Sequence, residues 1–143
     1  MIVTIIGQGY VGLPLAKSIS LVGIKCFGLD RSRKVLENIK NSMELSISSP
    51  YFNWKNYYTP TNDYSVISKS QIICICLPTP LNNKSRPDLS NLTSALSRVK
   101  RYINNKSLII IESTVNPGFV RNLENEFNDI DIARSEEHTS ELQ

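Results

Sequence analysis

Four short apolar runs are spaced along the chain, and each predicts a β-strand. They lie at residues 2–6, 24–29, 71–77 and 107–112. In the last two runs nearly every position is apolar, which is typical of parallel strands that are buried on both faces of a sheet. A further short strand is predicted at residues 57–59.

Between these runs, apolar residues take the three-to-four-residue spacing of amphipathic helices. The clearest example is residues 89–103, where Leu92, Leu96 and Val99 share one face and polar residues lie opposite. Helices are also predicted directly after Gly12 and at residues 31–39, 63–70 and 117–127, with an irregular connection over residues 41–58. The alternation of strands and helices predicts an α/β fold, a doubly wound parallel sheet with helices on both faces.

Composition narrows the class of protein. The chain has 143 residues, 41% hydrophobic and 20% charged, as expected for one globular domain. It has no run of 18 apolar residues and no leader pattern, so we expect a cytoplasmic protein without a membrane span. The net charge of +3 is scattered, which gives little support to nucleic-acid binding. Cys26, Cys74 and Cys76 lie within apolar runs, which predicts structural thiols and no metal site.

The last ten residues differ from the rest of the chain. Residues 134–143, RSEEHTSELQ, lack apolar periodicity and contain the only histidine, His138. They resemble the translation of a common DNA-sequencing adapter. We therefore expect a domain over residues 1–133 that is truncated at its C-terminal end, a non-native tail over residues 134–143, and no catalytic role for His138. The alternative is a genuine polar tail.

A glycine-rich turn joins the first predicted strand to the first predicted helix. Residues 7–12, GQGYVG, have the spacing of a dinucleotide-binding turn in the expected strand–turn–helix context. In such a turn Gly7 permits the tight bend, Gly9 lets the phosphates approach the backbone, and Gly12 lets the helix pack closely on the strand. The N–H groups of the first helical turn then face the pyrophosphate.

An acidic residue follows the second predicted strand. Asp30 lies 18 residues after Gly12, where a carboxylate can accept the adenosine ribose hydroxyls and repel a 2′-phosphate. Arg31 and Arg33 follow, and arginines there can accept that phosphate, so the sequence favours NAD but leaves NADP open. Asp30 can also cap the next helix, and the two roles compete for one carboxylate.

Two loops after the late strands are the expected place for chemistry, because ligands of doubly wound sheets lie at the carboxyl ends of the strands. Residues 77–81 carry Thr79 between two prolines, and residues 112–118 carry Glu112 and Thr114. The prolines stiffen the loops, and the hydroxyls can bond ribose, phosphate or water. The alternative is that these hydroxyls only cap helices.

Four motifs in one order resemble the N-terminal domain of the UDP-glucose/GDP-mannose dehydrogenase family: GQGYVGLPLA, CLPTPL, RPDLS and ESTVNPG. The segment PTPL followed by PDLS is most similar to the branch that oxidises UDP-N-acetylhexosamines. The resemblance implies a Rossmann-like fold and NAD-dependent oxidation of a sugar C6 alcohol to a carboxylate, with two hydrides passed to two NAD molecules. It also implies a role in making surface-polysaccharide precursors.

The same resemblance implies roles for individual residues. The pyrophosphate would be held by Gly7, Gly9, Tyr10, Val11 and Gly12, the adenosine ribose by Asp30 beside Arg31, and the nicotinamide side by Thr79, Glu112 and Thr114. Thr114 would also position a water or hydroxyl beside the reacting carbon.

The family's catalytic cysteine, most of its sugar-nucleotide site and its dimer interface lie further downstream than these motifs. The resemblance therefore implies a homodimeric parent enzyme and a chain that alone binds NAD weakly and does not turn over. Two alternatives remain from the residues themselves: a non-catalytic NAD-binding module, and another NAD-dependent dehydrogenase with the same N-terminal layout.

Overall fold

The computed structural model describes residues 1–45, 53–116 and 118–135. Its centre is a six-stranded parallel sheet with the order β3-β2-β1-β4-β5-β6. The strands are β1 Ile2–Ile6, β2 Lys25–Leu29, β3 Tyr58–Thr61, β4 Ile72–Ile75, β5 Leu108–Ile111 and β6 Asp131–Arg134. The chain runs outward from β1 to β3 and then returns to the other side of β1, so the predicted doubly wound sheet is confirmed.

The helices lie between the strands, as the alternation predicts. They are α1 Gly12–Leu21, α2 Arg33–Leu45, α3 Ser90–Val99 and α4 Phe119–Glu126, with short 3-10 helices at Trp54–Asn56 and Tyr64–Lys69. The prediction ended the second helix at residue 39 and placed an irregular connection from residue 41, but α2 continues to Leu45. The expected start of the last helix at Pro117 lies outside the described residues.

Each face of the sheet has its own apolar core. One core contains Val3, Ile5, Ala16 and Ile39, contributed by β1, α1 and α2. The other contains residues from the strands, α3 and α4: Ile6, Ile73, Ile75, Leu92, Leu96, Val99, Ile109, Ile111 and Leu123. Burial on both faces explains why the central strands are apolar at almost every position.

The edge strand next to β5, which is β6, is absent from the prediction. It pairs with β5 so that Ile111 lies opposite Arg134, and the Ser135 N–H donates to the Ile111 carbonyl. Arg134, the first residue of the expected non-native tail, is thus the last residue of this strand. Residues 136–143, with His138, lie outside the described residues. Within the described ranges, no helix is long and apolar enough to cross a membrane.

Candidate dinucleotide site

A cavity of about 590 Å³ opens at the carboxyl ends of the strands. It lies where the strand order reverses between β1 and β4, which is the usual ligand position in doubly wound sheets. The predicted site residues in its wall are Gly7, Gly9, Tyr10, Val11, Asp30, Arg31, Thr79, Glu112 and Thr114. Gly12 is not part of the wall. The volume lies in the range of small-molecule and cofactor pockets.

The three glycines of the turn differ in their surroundings. Gly7 has φ = +91°, a backbone conformation that favours glycine, and its N–H donates to the Leu29 carbonyl over 2.8 Å. A Cβ built on Gly12 would overlap the Gly7 carbonyl oxygen, so α1 can start this close to the turn only with glycine there. A Cβ built on Gly9 would contact nothing within 4 Å, which leaves open space beside the backbone.

The cavity wall reaches Val11, the residue directly before α1. Its N-cap residue, Val11, makes no side-chain capping hydrogen bond. The N–H groups at the start of a helix lack partners within the helix and carry partial positive charge. Here the Leu13 N–H donates to the Gly9 carbonyl over 3.2 Å and Pro14 has no N–H, so α1 contributes the positive end of its dipole beside the open space at Gly9. These features fit a dinucleotide pyrophosphate.

The Asp30 carboxylate accepts two backbone hydrogen bonds. Its Oδ2 accepts from the Gln8 N–H at 2.9 Å, and its Oδ1 accepts from the Ser32 N–H at 2.8 Å. Ser32 itself accepts from the Val35 N–H, so Ser32 rather than Asp30 bonds the first turn of α2. A carboxylate has about four acceptor positions, which leaves capacity for ribose hydroxyls. Asp30 thus joins the glycine turn to the segment before α2.

Hydrogen bonds join the two late loops. The Thr79 hydroxyl donates to the Thr114 carbonyl over 2.8 Å. The buried Ser113 hydroxyl donates to the Leu77 carbonyl over 2.7 Å and accepts from the Leu77 N–H over 3.0 Å. The two loops therefore form one wall of the cavity. The sequence analysis missed Ser113. The feature that could have indicated it is its position as a small polar residue directly after a buried strand.

Glu112 lies in the same wall, at the end of β5. Its Oε2 accepts from the Ser135 hydroxyl over 2.6 Å. Ser135 directly follows β6, so this contact holds the carboxylate from the outer edge of the sheet.

A polar face of α3 completes the cavity, and the sequence analysis missed it. Asn91, Ser94 and Arg98 line the cavity at helical spacing, opposite the apolar face that it did identify. The Arg98 guanidinium lies 5.3 Å from the centre of the Tyr64 ring. Burial raises the pKa of Tyr64. Arg98 adds positive charge to the cavity wall.

The cysteines occupy two different environments. Cys26 and Cys74 are buried, and burial raises the pKa of the Cys26 thiol to about 12. Cys76 was expected inside a strand, but it lies one residue beyond the end of β4 and lines the cavity. Its Sγ is 3.8 Å from the Cys74 Sγ, and the hydrogen bond from Cys74 lowers the pKa of Cys76.

Comparisons with known proteins agree with this geometry. The sequence model of the UDP-glucose/GDP-mannose dehydrogenase family, NAD binding domain, matches residues 1–141. A UDP-N-acetyl-D-mannosamine dehydrogenase of Methanocaldococcus jannaschii is 33% identical over 129 residues, which cover 81% of this chain and 29% of that protein. A UDP-N-acetyl-D-glucosamine 6-dehydrogenase of Salmonella typhi is 33% identical over 122 residues, covering 81% and 28%.

A solved structure shows the same architecture. The UDP-D-ManNAc dehydrogenase of Pyrococcus horikoshii superposes with a TM-score of 0.80 at 29% identity, over 97% of this chain and 37% of that one. The chain thus spans less than a third of the length of the curated relatives named above. The chain belongs to the UDP-glucose/GDP-mannose dehydrogenase family, and it contains the family's NAD-binding domain.

Proposed function

We propose that this chain is the NAD-binding part of a nucleotide-sugar 6-dehydrogenase that oxidises the C6 alcohol of a UDP-N-acetylhexosamine to a carboxylate. The support for the substrate class is the identity of 33% to relatives named for UDP-N-acetyl-D-mannosamine and UDP-N-acetyl-D-glucosamine. NAD, when bound, supplies the hydride acceptor. The residues of this chain bind and orient it.

One observation carries the proposal: a single cavity joins the glycine turn and Asp30 to the two threonine loops. Since β2 lies on one side of β1 and β5 lies beyond β4, the cavity extends along the carboxyl edge of the sheet. The adenosine half would lie on the β1–β2 side, with the pyrophosphate over the N-terminus of α1. The nicotinamide half would then lie between Thr79, Glu112 and Thr114.

The chain alone would bind NAD without completing the reaction. The oxidation of an alcohol to a carboxylate through a covalent intermediate needs an accessible thiolate. Cys26 and Cys74 are buried. Burial raises the pKa of Cys26, and the hydrogen bond to Cys76 together with burial raises the pKa of Cys74. Cys76 does line the cavity, but its thiol lies against Cys74, with 3.8 Å between the two sulfur atoms, and we propose that it is not the nucleophile. Incubation with NAD and either UDP-N-acetylhexosamine should therefore form no NADH, and steady NADH formation would contradict this part of the proposal.

Titration with dinucleotides tests the proposal. We expect NADH to quench or enhance fluorescence with a saturating curve, ADP to compete with it, and NADPH to bind more weakly because Asp30 repels its 2′-phosphate. Asp30→Asn should weaken NADH binding and reduce the preference over NADPH, whereas the exposed Asp129→Asn is the matched control and should change neither. No saturable binding of NADH or ADP, or equal effects of the two substitutions, would contradict the assignment.

A further inference from the structure

We infer that Tyr58 is a positioning residue for the dinucleotide site: through a hydrogen bond to Gln8 it holds the glycine turn and Asp30 in the arrangement that binds the cofactor. The inference rests on the proposed function of this cavity. Neither Tyr58 nor Gln8 belongs to the residues that the motif assigns to the cofactor, and neither lines the cavity wall.

Tyr58 reaches the turn from the edge of the sheet because β2 contains a glycine. Tyr58 begins β3 and is 3% exposed. Its ring crosses the neighbouring strand at Gly28, where a built Cβ would overlap the tyrosine hydroxyl. On the outer side, Trp54 packs on the ring with 5.2 Å between the ring centres. The ring is therefore enclosed, and its hydroxyl ends beside the glycine turn.

Gln8 connects that hydroxyl to the turn. Its Oε1 accepts from the Tyr58 hydroxyl at 2.8 Å, and its Nε2 donates to the Ile5 carbonyl at 2.9 Å and to the Gly7 carbonyl at 3.3 Å. Gln8 is 3% exposed. The turn has glycine on both sides of Gln8, so its backbone is intrinsically permissive, and a bonded and buried side chain at the centre restricts it.

The backbone of Gln8 carries this restraint to the ribose side of the site. Its N–H donates to the Asp30 Oδ2 at 2.9 Å. The direction of that N–H depends on the conformation of the turn, which the side chain of Gln8 fixes. Burial raises the pKa of Tyr58, so its hydroxyl remains a protonated donor over the ordinary pH range. Loss of the hydroxyl would leave the buried Gln8 Oε1 without this partner, and such groups move or draw in water.

The test is the affinity of the folded chain for NADH and ADP. We expect Tyr58→Phe to weaken the binding of both ligands by about tenfold, which corresponds to about 1.4 kcal/mol. The affinity for ADP should fall by as much as the affinity for NADH, because the turn and Asp30 would contact only the adenosine diphosphate half. The matched control is Leu123→Ala, a buried position in α4 at the opposite edge of the sheet. It should lower the melting temperature while leaving both dissociation constants unchanged.

Two further variants separate positioning from general packing. Gln8→Leu should weaken ADP binding to a similar extent. The double variant with Tyr58→Phe should bind ADP as tightly as the weaker-binding single variant, because both substitutions break the same link. Gly28→Ala, which displaces the Tyr58 ring, should give the same loss by a separate route. Unchanged affinity in Tyr58→Phe, or losses that multiply to about a hundredfold in the double variant, would overturn the inference. Failure of the unsubstituted chain to bind ADP or NADH would instead overturn the proposed function.

Discussion

Replacing Ser113 with alanine is expected to destabilise the wall of the cavity that the two late loops form. The Ser113 hydroxyl bonds both backbone groups of Leu77, as donor over 2.7 Å and as acceptor over 3.0 Å. Ser113 is 7% exposed, so water cannot easily replace it. The substitution removes both of these hydrogen bonds, together with a longer contact of 3.4 Å to the Ile75 carbonyl, and leaves the Leu77 N–H without this acceptor.

The magnitude follows from these two bonds. An ordinary hydrogen bond contributes about 1 kcal/mol to stability, and a buried group left unpaired costs about 1–3 kcal/mol. We therefore expect the free energy of unfolding to fall by about 2 kcal/mol. In a chain of this length, that loss corresponds to a decrease in melting temperature of about 4–8 °C.

Urea unfolding and thermal melting of Ser113→Ala measure this loss. Ser68→Ala is the matched control, because its hydroxyl is exposed and donates to the nearby Ser65 carbonyl, and we expect a loss of less than about 0.5 kcal/mol there. Equal stabilities of the two variants would show that the Ser113 bonds do not hold the loops together, and the reasoning would be wrong.

Three other outcomes follow from the same structure. Gly12→Ala should lower the melting temperature by unfolding the turn or displacing α1, because its methyl group overlaps the Gly7 carbonyl. Gly9→Ala should keep the melting temperature and weaken NADH binding. Equal melting temperatures of the two variants would contradict this reasoning. A small thiol reagent should label Cys76 before Cys26, as read by peptide mass spectrometry, because burial raises the pKa of Cys26 to about 12. A thiol whose pKa rises from 9.0 to about 12 on folding stabilises the fold below pH 9, and this contribution is lost as the pH rises towards 12. Urea unfolding of Cys26→Ala should accordingly show a shallower loss of stability between pH 8 and pH 10.5 than the unsubstituted chain.

The central strands could be predicted because their signal is local. A parallel strand buried on both faces is apolar at nearly every position, and β4 and β5 show that pattern whatever their neighbours. The strand β6 gives no such signal, since only Ile132 among its apolar residues packs against a core. Its existence depends on pairing with β5, and a sequence pattern does not contain that pairing.

The candidate site likewise has one part that the sequence predicts and one part that it does not. The glycine turn and Asp30 are recognisable because the dinucleotide-binding turn has a fixed spacing along the chain. The contact between Tyr58 and Gln8 joins residues 50 positions apart and depends on the absence of a side chain at Gly28. A glycine inside a strand does indicate the close approach of another group, but the sequence does not identify which group approaches.

The two halves of the cavity are held by separate sets of bonds, and this separation has a functional consequence. On the β1–β2 side, Asp30 and the side chain of Gln8 fix the turn. On the β4–β5 side, Ser113 and Thr79 join the loops to each other. Since ADP would contact only the first half, Ser113→Ala should weaken NADH binding while leaving ADP binding unchanged. Asp30→Asn should weaken the binding of both ligands equally. A loss of ADP affinity in Ser113→Ala would mean that the halves are coupled through β1 and β4, and that the sheet rather than the loops transmits the change.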